Sequence, residues 1–249
     1  MNDIPKKIGI LGYGQIGKAI ASFYHDPYIQ DLDGSDFSPG IDLDILHVCI
    51  PYSANFHKTV LQVIKEYAPG ALVLIHSTVA VGTTKMLWEE HPRIVHAPIR
   101  GVHPNLKRGI ETFPMYIGSD NPGAASEAAE HMEHLAEEGT IRTVMLHKSA
   151  TSELLKLLDT TYYGVCIAFH AYAEKLCEKE GVNFDMVMTE ANLTYNAGYL
   201  ELGKRNVNRP VLTPPEGGKI GGHCVIPNAE ILEGLYGQDP LLSSILRHK

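Results

Sequence analysis

The chain has 249 residues, of which 44% are hydrophobic and 20% charged, a composition typical of a globular protein. Its formal net charge of −8 argues against nucleic-acid binding, because a phosphate backbone attracts a positive surface. No apolar run reaches the ~18–20 residues that a membrane span needs, and the polar N-terminus predicts no signal peptide. The four cysteines have no paired or metal-type spacing, so we expect reduced thiols, a cytoplasmic location and no metal site.

Short apolar runs alternate with helical patterns through the first part of the chain. Strands are predicted at 7–11, 29–32, 44–50, 71–75, 93–97, 115–118 and 143–146. Helices are predicted up to about residue 24 and at 55–67, 83–90 and 124–138. This alternation predicts an α/β fold, a Rossmann-type doubly wound, mainly parallel sheet, over residues 1–148.

A helical pattern replaces the alternation after about residue 148. A long helix is predicted at 151–180, ended by Gly181, with more helix at 185–202 and a last helix from about residue 228. Its apolar positions recur every three or four residues: Leu154, Leu158, Tyr162, Val165, Phe169, Tyr172 and Leu176. We expect a smaller all-helical domain at 149–249. Because it is too small to cover this stripe, we also expect a homodimer with interlocked helices.

The first predicted strand leads into Gly12-Tyr13-Gly14-Gln15-Ile16-Gly17, which opens a helix. In that context Gly-x-Gly-x-x-Gly predicts a dinucleotide-binding turn rather than a purely structural one. The first glycine allows the tight turn, the second lets backbone approach a pyrophosphate, and the third lets helix and strand pack. The phosphates would then face amide N–H groups at the positive end of a helix dipole.

An acidic residue at the end of the second strand should hold the ribose hydroxyls of the cofactor. Asp33 fits this role best, with Asp31 as the alternative. Because a carboxylate repels a 2′-phosphate, either residue predicts NAD rather than NADP. The full set of cofactor-binding candidates is Gly12, Tyr13, Gly14, Gln15, Ile16, Gly17, Asp33, Pro51, Ser77 and Thr78. The last three follow strands whose carboxyl ends form the ligand-binding edge of this fold, although ordinary capping would explain them as well.

Two further residues have side chains suited to chemistry on an alcohol or a carbonyl group. Lys156 lies off the apolar stripe of the long helix, one turn before Thr160, so that both would point together into a cleft. A lysine can act there as a general acid or base, or hold an oxyanion, whereas most exposed helical lysines only aid solubility. Cys224 ends the glycine-rich segment 217–224, where it is either a presented nucleophile or an inert thiol in a structural loop.

These motifs occur in the order seen in the UDP-glucose/GDP-mannose dehydrogenases, and the chain resembles their UDP-N-acetylmannosamine dehydrogenase branch most closely. The resemblance implies NAD-dependent oxidation of the alcohol of a sugar or nucleotide-sugar-like substrate, in two steps, to a carboxylate. It implies that Cys224 forms a thiohemiacetal and then a thioester, that Lys156 is the acid/base and oxyanion partner, and that Thr78 positions water or substrate. The catalytic candidates are therefore Cys224, Lys156, Thr78, Thr160 and Asn228. The substrate-binding candidates are Arg100, His103, Gly221, Gly222 and His223.

The chain departs from the pattern of that family at four points. Ile99 follows Pro98 where the family has a catalytic glutamate, Thr160 replaces an asparagine, and Asn228 replaces an aspartate. The sequence also stops at Lys249, before the second Rossmann-like domain of the family. Two alternatives therefore stay open. One is a single-step dehydrogenase or reductase of the β-hydroxyacid type, which needs the lysine but not the thiol. The other is an NAD-binding protein that has lost catalysis.

Overall fold

A computed structural model describes residues 6–101, 104–135, 141–221 and 224–249. The chain forms two compact units, Met1–Lys156 and Leu157–Lys249. Among the helices of the described ranges, none is both long and apolar enough to cross a membrane.

The first unit alternates strands with helices. In chain order its elements are β1 (Ile8–Leu11), α1 (Gln15–Ala21), β2 (Tyr28–Asp31), β3 (Gly34–Ser35), β4 (Ile45–Val48), α2 (Phe56–Tyr67), β5 (Leu72–Ile75), α3 (Thr83–Trp88), β6 (Ile94–His96), α4 (Leu106–Thr112), β7 (Met115–Gly118), α5 (Pro122–Glu133) and β8 (Thr143–Leu146). Helix α6 (Ser149–Glu180) follows, and the division between the units falls within it.

The eight strands form one sheet in the order β3-β2-β1-β4-β5-β6-β7-β8. Strands β2, β1, β4, β5 and β6 pair in parallel, whereas β3 is antiparallel to β2 and β7 is antiparallel to β6. The order reverses between β1 and β4, which is the switch point at which such sheets bind ligands. The predicted doubly wound, mainly parallel fold is therefore confirmed.

Apolar side chains cover both faces of the sheet, as the unbroken apolar runs of a buried parallel sheet require. Successive residues of β4 show the alternation. Ile45 packs in the cluster that includes α1, α4 and α5, and Leu46 packs in the cluster that includes α2 and α3. His47, the next residue of the strand, is fully buried. The sheet thus holds the loops at its carboxyl ends on a rigid layer.

Three elements of this unit differ from the sequence prediction. The short strand β3 and the helix α4 were not predicted. Helix α4 contains Gly109, which is buried, and a Cβ there would lie 2.6 Å from the Cα of Gly101. The glycine that weakens the helical pattern is therefore explained by a close tertiary approach. Helix α5 also ends at Glu133, earlier than predicted.

The second unit is helical, as predicted. After α6 it contains a π-helical segment (Asp185–Glu190), α7 (Ala191–Glu201), a 3-10 turn (Glu216–Gly218), α8 (Val225–Tyr236) and α9 (Pro240–Leu246). The predicted last helix is thus two helices, the first of which begins at Val225. Its small core is apolar and joins α8 and α9 to α6: Ile220, Val225, Ile226, Ala229 and Ile245, with Val165 and Ile167 packed against them.

Candidate functional site

The glycine turn after β1 is built to admit a ligand. Gly12 has φ 94°, and a Cβ at this position would lie 2.9 Å from the backbone of Cys49, so no larger residue fits. A Cβ at Gly17 would clash with the carbonyl oxygen of Gly12. At Gly14 the same test finds open space. Gly14 caps α1 without any side-chain hydrogen bond, so no side chain of the N-cap residue occupies the amides of the first turn. The turn therefore fits the phosphates of a dinucleotide.

The acidic residue that meets this turn is Asp31, the last residue of β2. Its carboxylate accepts hydrogen bonds from the backbone N–H of Tyr13 at 2.5 Å and of Leu32 at 2.6 Å. These two bonds, with Leu32 contributing most, lower the pKa of Asp31 below its ordinary value of 3.8. Asp33, the residue favoured from the sequence, lies exposed in the turn between β2 and β3. Only Asp31 of the two has a contact with the glycine turn among the described hydrogen bonds.

The loops after β4 and β5 and the last residue of β6 are tied together at the same edge of the sheet. The Ser77 hydroxyl donates to the carbonyl of Ile50 at 2.6 Å, and the Nε2 of His96 lies 3.1 Å from the Ser77 carbonyl oxygen. Thr78 is half-buried and Pro51 is exposed. Ser77 thus uses its hydroxyl to hold the edge together, while Thr78 and Pro51 lie where a ligand could contact them.

Lys156 of α6 reaches the loop that follows β6. Its Nζ donates a hydrogen bond to the carbonyl oxygen of Ile99 at 2.9 Å, and the side chain is half-buried. The guanidinium of Arg100, next in the chain, lies 5.4 Å and 5.7 Å from the ring centroids of Phe113 and Tyr116. The ammonium and the guanidinium therefore both lie at the carboxyl end of the sheet, the edge that carries the glycine turn.

The remaining candidates that the structure describes belong to the helical unit. Cys224 is exposed and immediately precedes α8, and an exposed thiol at a helix N-terminus is a common location of a reactive cysteine. Asn228, one turn into α8, is buried, and its Nδ2 has no hydrogen-bond partner among the described residues. Thr160 is half-buried and Gly221 is exposed. Three candidates lie outside the described residues: His103, Gly222 and His223.

The other cysteines differ from Cys224 in burial. Burial raises the pKa of the Cys49 thiol far above its ordinary value of 9.0. Cys177 is buried and Cys166 half-buried, both on α6. Among the four, Cys224 is thus the thiol most accessible to a reagent or a substrate. No group of three or more His, Cys, Asp or Glu side chains within the described ranges is placed to hold a metal ion.

No family model matches the chain. Over 199 residues it is 24% identical to the UDP-N-acetyl-D-mannosamine dehydrogenase of Methanocaldococcus jannaschii, a match that covers 73% of this chain and 42% of that enzyme. The chain is a homologue of the nucleotide-sugar dehydrogenases. The family resemblance predicted from the motifs is therefore confirmed, and the names of these relatives agree with the predicted nicotinamide cofactor.

This nucleotide-sugar dehydrogenase homologue spans less than half the length of the curated relatives it matches. Solved structures extend the likeness of fold to nearly the whole chain. The UDP-N-acetyl-D-mannosamine dehydrogenase of Pyrococcus horikoshii superposes with a TM-score of 0.75 at 19% identity, covering 97% of this chain and 67% of that one. The 3-hydroxyisobutyrate dehydrogenase of Mycobacterium tuberculosis gives 0.67 at 15% identity, covering 98% of this chain and 92% of that one.

Two features of this homologue were not predicted from its sequence. Glu153, one turn before Lys156, is a fully buried carboxylate that accepts hydrogen bonds from backbone N–H groups at the start of α3. A series of hydrogen bonds also connects four side chains that are buried or half-buried: His131, Tyr24, His47 and His76. Glu153 follows Thr151 and Ser152 in a polar first turn of α6, where a glutamate is not unusual, and its partners lie far away in the sequence.

Proposed function

We propose that the chain is an NAD-dependent dehydrogenase that oxidises the CH–OH group of a nucleotide-sugar-like small molecule. The observation that carries this proposal is that Lys156 and the open glycine turn lie at the same edge of the sheet. The turn follows β1, and Lys156 bonds to the loop after β6. Those strands are three places apart in the sheet, which at about 4.8 Å per strand is roughly 14 Å. A cofactor bound at the turn and extended along the edge would bring its reactive end toward the lysine.

Cofactor binding is the first part of the proposal. The glycine turn would hold the pyrophosphate, and the carboxylate of Asp31 would hold the ribose hydroxyls. When bound, NAD+ supplies a hydride acceptor. Titration followed by NADH fluorescence tests this. We expect tighter binding of NADH than of NADPH and a clear loss of NADH affinity in Asp31→Asn. Asp33→Asn is the matched control, since Asp33 is exposed in the neighbouring turn. A preference for NADPH would contradict the proposal.

Lys156 would supply the proton chemistry of the reaction. As the substrate CH–OH group loses a hydride, its hydroxyl must also lose a proton. The lysine would take that proton as a general base or stabilise the oxyanion that forms. The assay is NADH absorbance with UDP-N-acetylmannosamine and related nucleotide sugars, the substrate class suggested by the names of the relatives. Lys156→Ala should lose turnover with each active substrate, and no NADH formation from any of them would refute this function.

Cys224 is proposed as the nucleophile of a second oxidation. Its sulfur would add to the carbonyl carbon of the aldehyde product, giving a thiohemiacetal whose C–H bond can transfer a second hydride to another NAD+. Water would then release the acid from the resulting thioester. The exposure of Cys224 at the start of α8 supports this role. Two NADH per substrate molecule are expected, and Cys224→Ser should give one.

A single-step dehydrogenase of the β-hydroxyacid type is the second candidate. It is favoured by Ile99, which is buried and apolar where the resemblance implies a catalytic carboxylate, and by Asn228 in place of an aspartate. Under this alternative, wild type and Cys224→Ser both form one NADH per substrate molecule, and small hydroxyacids rather than nucleotide sugars are oxidised.

We also propose that the protein is a homodimer, and a cytoplasmic location stays a prediction from its cysteine usage. The predicted apolar stripe on α6 is largely exposed: Leu158 50%, Tyr162 67%, Phe169 56%, Tyr172 57% and Leu176 42%. Aromatic residues at this exposure favour burial against a partner. Sedimentation at micromolar concentration should give a dimer that Phe169→Glu dissociates. A monomeric wild-type protein would exclude this assembly.

A further inference from the structure

Glu153 joins two segments that are distant in the sequence. Its Oε2 accepts a hydrogen bond from the N–H of Gly82 at 2.7 Å, and its Oε1 accepts one from the N–H of Thr84 at 2.8 Å. These amides belong to the N-terminus of α3, where Gly82 provides no side-chain cap. The first turn of α3 is therefore capped by a carboxylate from α6, a residue 69 positions along the chain from Thr84.

The turn of α6 that carries Glu153 is also bonded to the loop after β6. Lys156, three residues later, donates to the carbonyl of Ile99 at 2.9 Å, and the hydroxyl of Ser152 lies 2.8 Å from the Nδ1 of His96. One turn of helix thus contacts both the segment after β5, which contains Thr78, and the segment after β6. Glu153 is the member of this turn that binds the first of those segments.

Gly82 has φ 96°, a conformation in which a serine, threonine or aspartate would be strained, so the cap of α3 comes from a side chain elsewhere in the chain. Glu153 is fully buried, and burial raises its pKa above the ordinary value of 4.5 while the Thr84 and Gly82 amides lower it. Burying a carboxylate costs free energy unless it is well hydrogen-bonded, so the fold is most stable when Glu153 and these two amides keep their relative position.

We propose that Glu153 is a positioning residue for the dehydrogenase reaction. Its carboxylate holds the segment that contains Thr78 against the turn of α6 that carries Lys156. The ammonium therefore keeps a fixed place relative to groups bound at this edge. The proposal rests on the proposed function, in which Lys156 meets the reacting hydroxyl. It adds that the position of the lysine depends on a buried residue that contacts neither cofactor nor substrate.

The test is Glu153→Gln, which keeps the size of the side chain but presents an NH2 group to one of the two amides. We expect kcat to fall by about 10- to 100-fold, as for misplacement of a catalytic group by roughly 1 Å. The KM for NAD and the affinity for NADH should stay close to wild type, because the glycine turn is not touched. Glu178→Gln, at an exposed position on the same helix, is the control. A kcat equal to that of the control would overturn the proposal, and so would parallel losses of kcat and NADH affinity.

A second variant distinguishes failure of this proposal from a folding defect, and a labelling experiment distinguishes it from failure of the proposed function. Should Glu153→Gln not fold, Thr84→Pro removes one of the two donors instead, since proline is tolerated in the first turn of a helix. It should lower kcat in the same way. Should the wild type turn over no substrate, the proposed function fails, and reductive methylation of lysines read by mass spectrometry decides this inference. Lys156 should then label several-fold faster in Glu153→Gln while the exposed Lys175 is unchanged. Unchanged labelling of Lys156 would overturn it.

Discussion

The hydrogen bonds that join His131, Tyr24, His47 and His76 have a defined donor-to-acceptor direction. The Nδ1 of His76 lies 2.6 Å from the Ala97 carbonyl, which can only accept, so His76 carries its proton on Nδ1. Burial lowers the pKa of His76 to about 4, so the ring is neutral and its Nε2 accepts from the Nδ1–H of His47 at 2.8 Å. The Nε2 of His47 then accepts from the Tyr24 hydroxyl at 2.7 Å. Tyr24 in turn accepts from the Nε2–H of His131 at 2.7 Å.

Tyr24→Phe removes the hydroxyl that links His131 to His47 in this series of hydrogen bonds. The Nε2 of His47 loses its donor, and the Nε2–H of His131 loses its acceptor. Each unsatisfied buried group costs about 1–3 kcal/mol. His47 is fully buried and contributes near the upper end, whereas His131 is only half-buried. The free energy of unfolding of the first unit should therefore fall by about 2–4 kcal/mol.

Urea and thermal unfolding followed by circular dichroism measure this loss. At roughly 2–4 °C per kcal/mol for a unit of this size, the unfolding temperature should fall by roughly 4–16 °C. Tyr52→Phe, at an exposed tyrosine of the same unit, is the matched control and should change little. Nitrogen-15 NMR of the histidine side chains should show His47 and His76 protonated at Nδ1. The reasoning is refuted if Tyr24→Phe is as stable as the control, or if either ring is protonated at Nε2.

Three further predictions follow from the same structure. Burial lowers the pKa of His76 to about 4 and that of His96 to about 3, from an ordinary 6.5, so below about pH 6.5 the unfolded chain binds more protons than the folded one. Stability measured by urea titration should thus fall by about 1.4 kcal/mol per pH unit for each histidine down to about pH 4, and a flat profile would contradict this. Iodoacetamide should label Cys224 much faster than the half-buried Cys49, whose thiol pKa is raised, and equal rates would exclude an accessible nucleophile. In the proposed two-step reaction, Lys156→Ala should slow both oxidations by roughly 10²–10³-fold, whereas Cys224→Ser should spare the first, as single-turnover kinetics would show.

The strands of the parallel sheet could be predicted because burial on both faces leaves an unbroken apolar run. β1 and β5 each contain only buried residues and were located to within about one residue of their ends. Helix α4 was not predicted because its sequence carries weak helical signals. Its first turn has no side-chain cap, and its Gly109 lowers the helical propensity. The close approach of Gly101 that requires this glycine is a tertiary contact, which local propensity does not contain.

The acidic residue beside the glycine turn shows that sequence spacing locates a site residue only to within one or two positions. Asp31 and Asp33 both lie near the predicted end of the second strand, and sequence spacing alone does not separate them. β2 ends at Asp31, and the chain then turns into β3, which carries Asp33 away from the N–H of Tyr13. Because β3 is only two residues long, nothing in the hydrophobic pattern marked that turn. The choice between the two carboxylates therefore depends on the strand pairing.

Glu153 shows why a residue type by itself does not predict a positioning role. Lys156 and Cys224 could be proposed from the sequence because few types of side chain are suited to acid/base or nucleophilic chemistry, and their motifs are local. The partners of Glu153 are backbone N–H groups, which nearly every residue has, so no sequence motif marks the pair. What distinguishes Glu153 is that its carboxylate is fully buried on the turn of α6 that also carries Lys156. A charge is stable there only if its acceptors are satisfied, and the two amides of α3 satisfy them. The proposed positioning of Lys156 therefore depends on the hydrogen bonds of a buried charge. It could be inferred only from the distances between the Glu153 carboxylate and those amides.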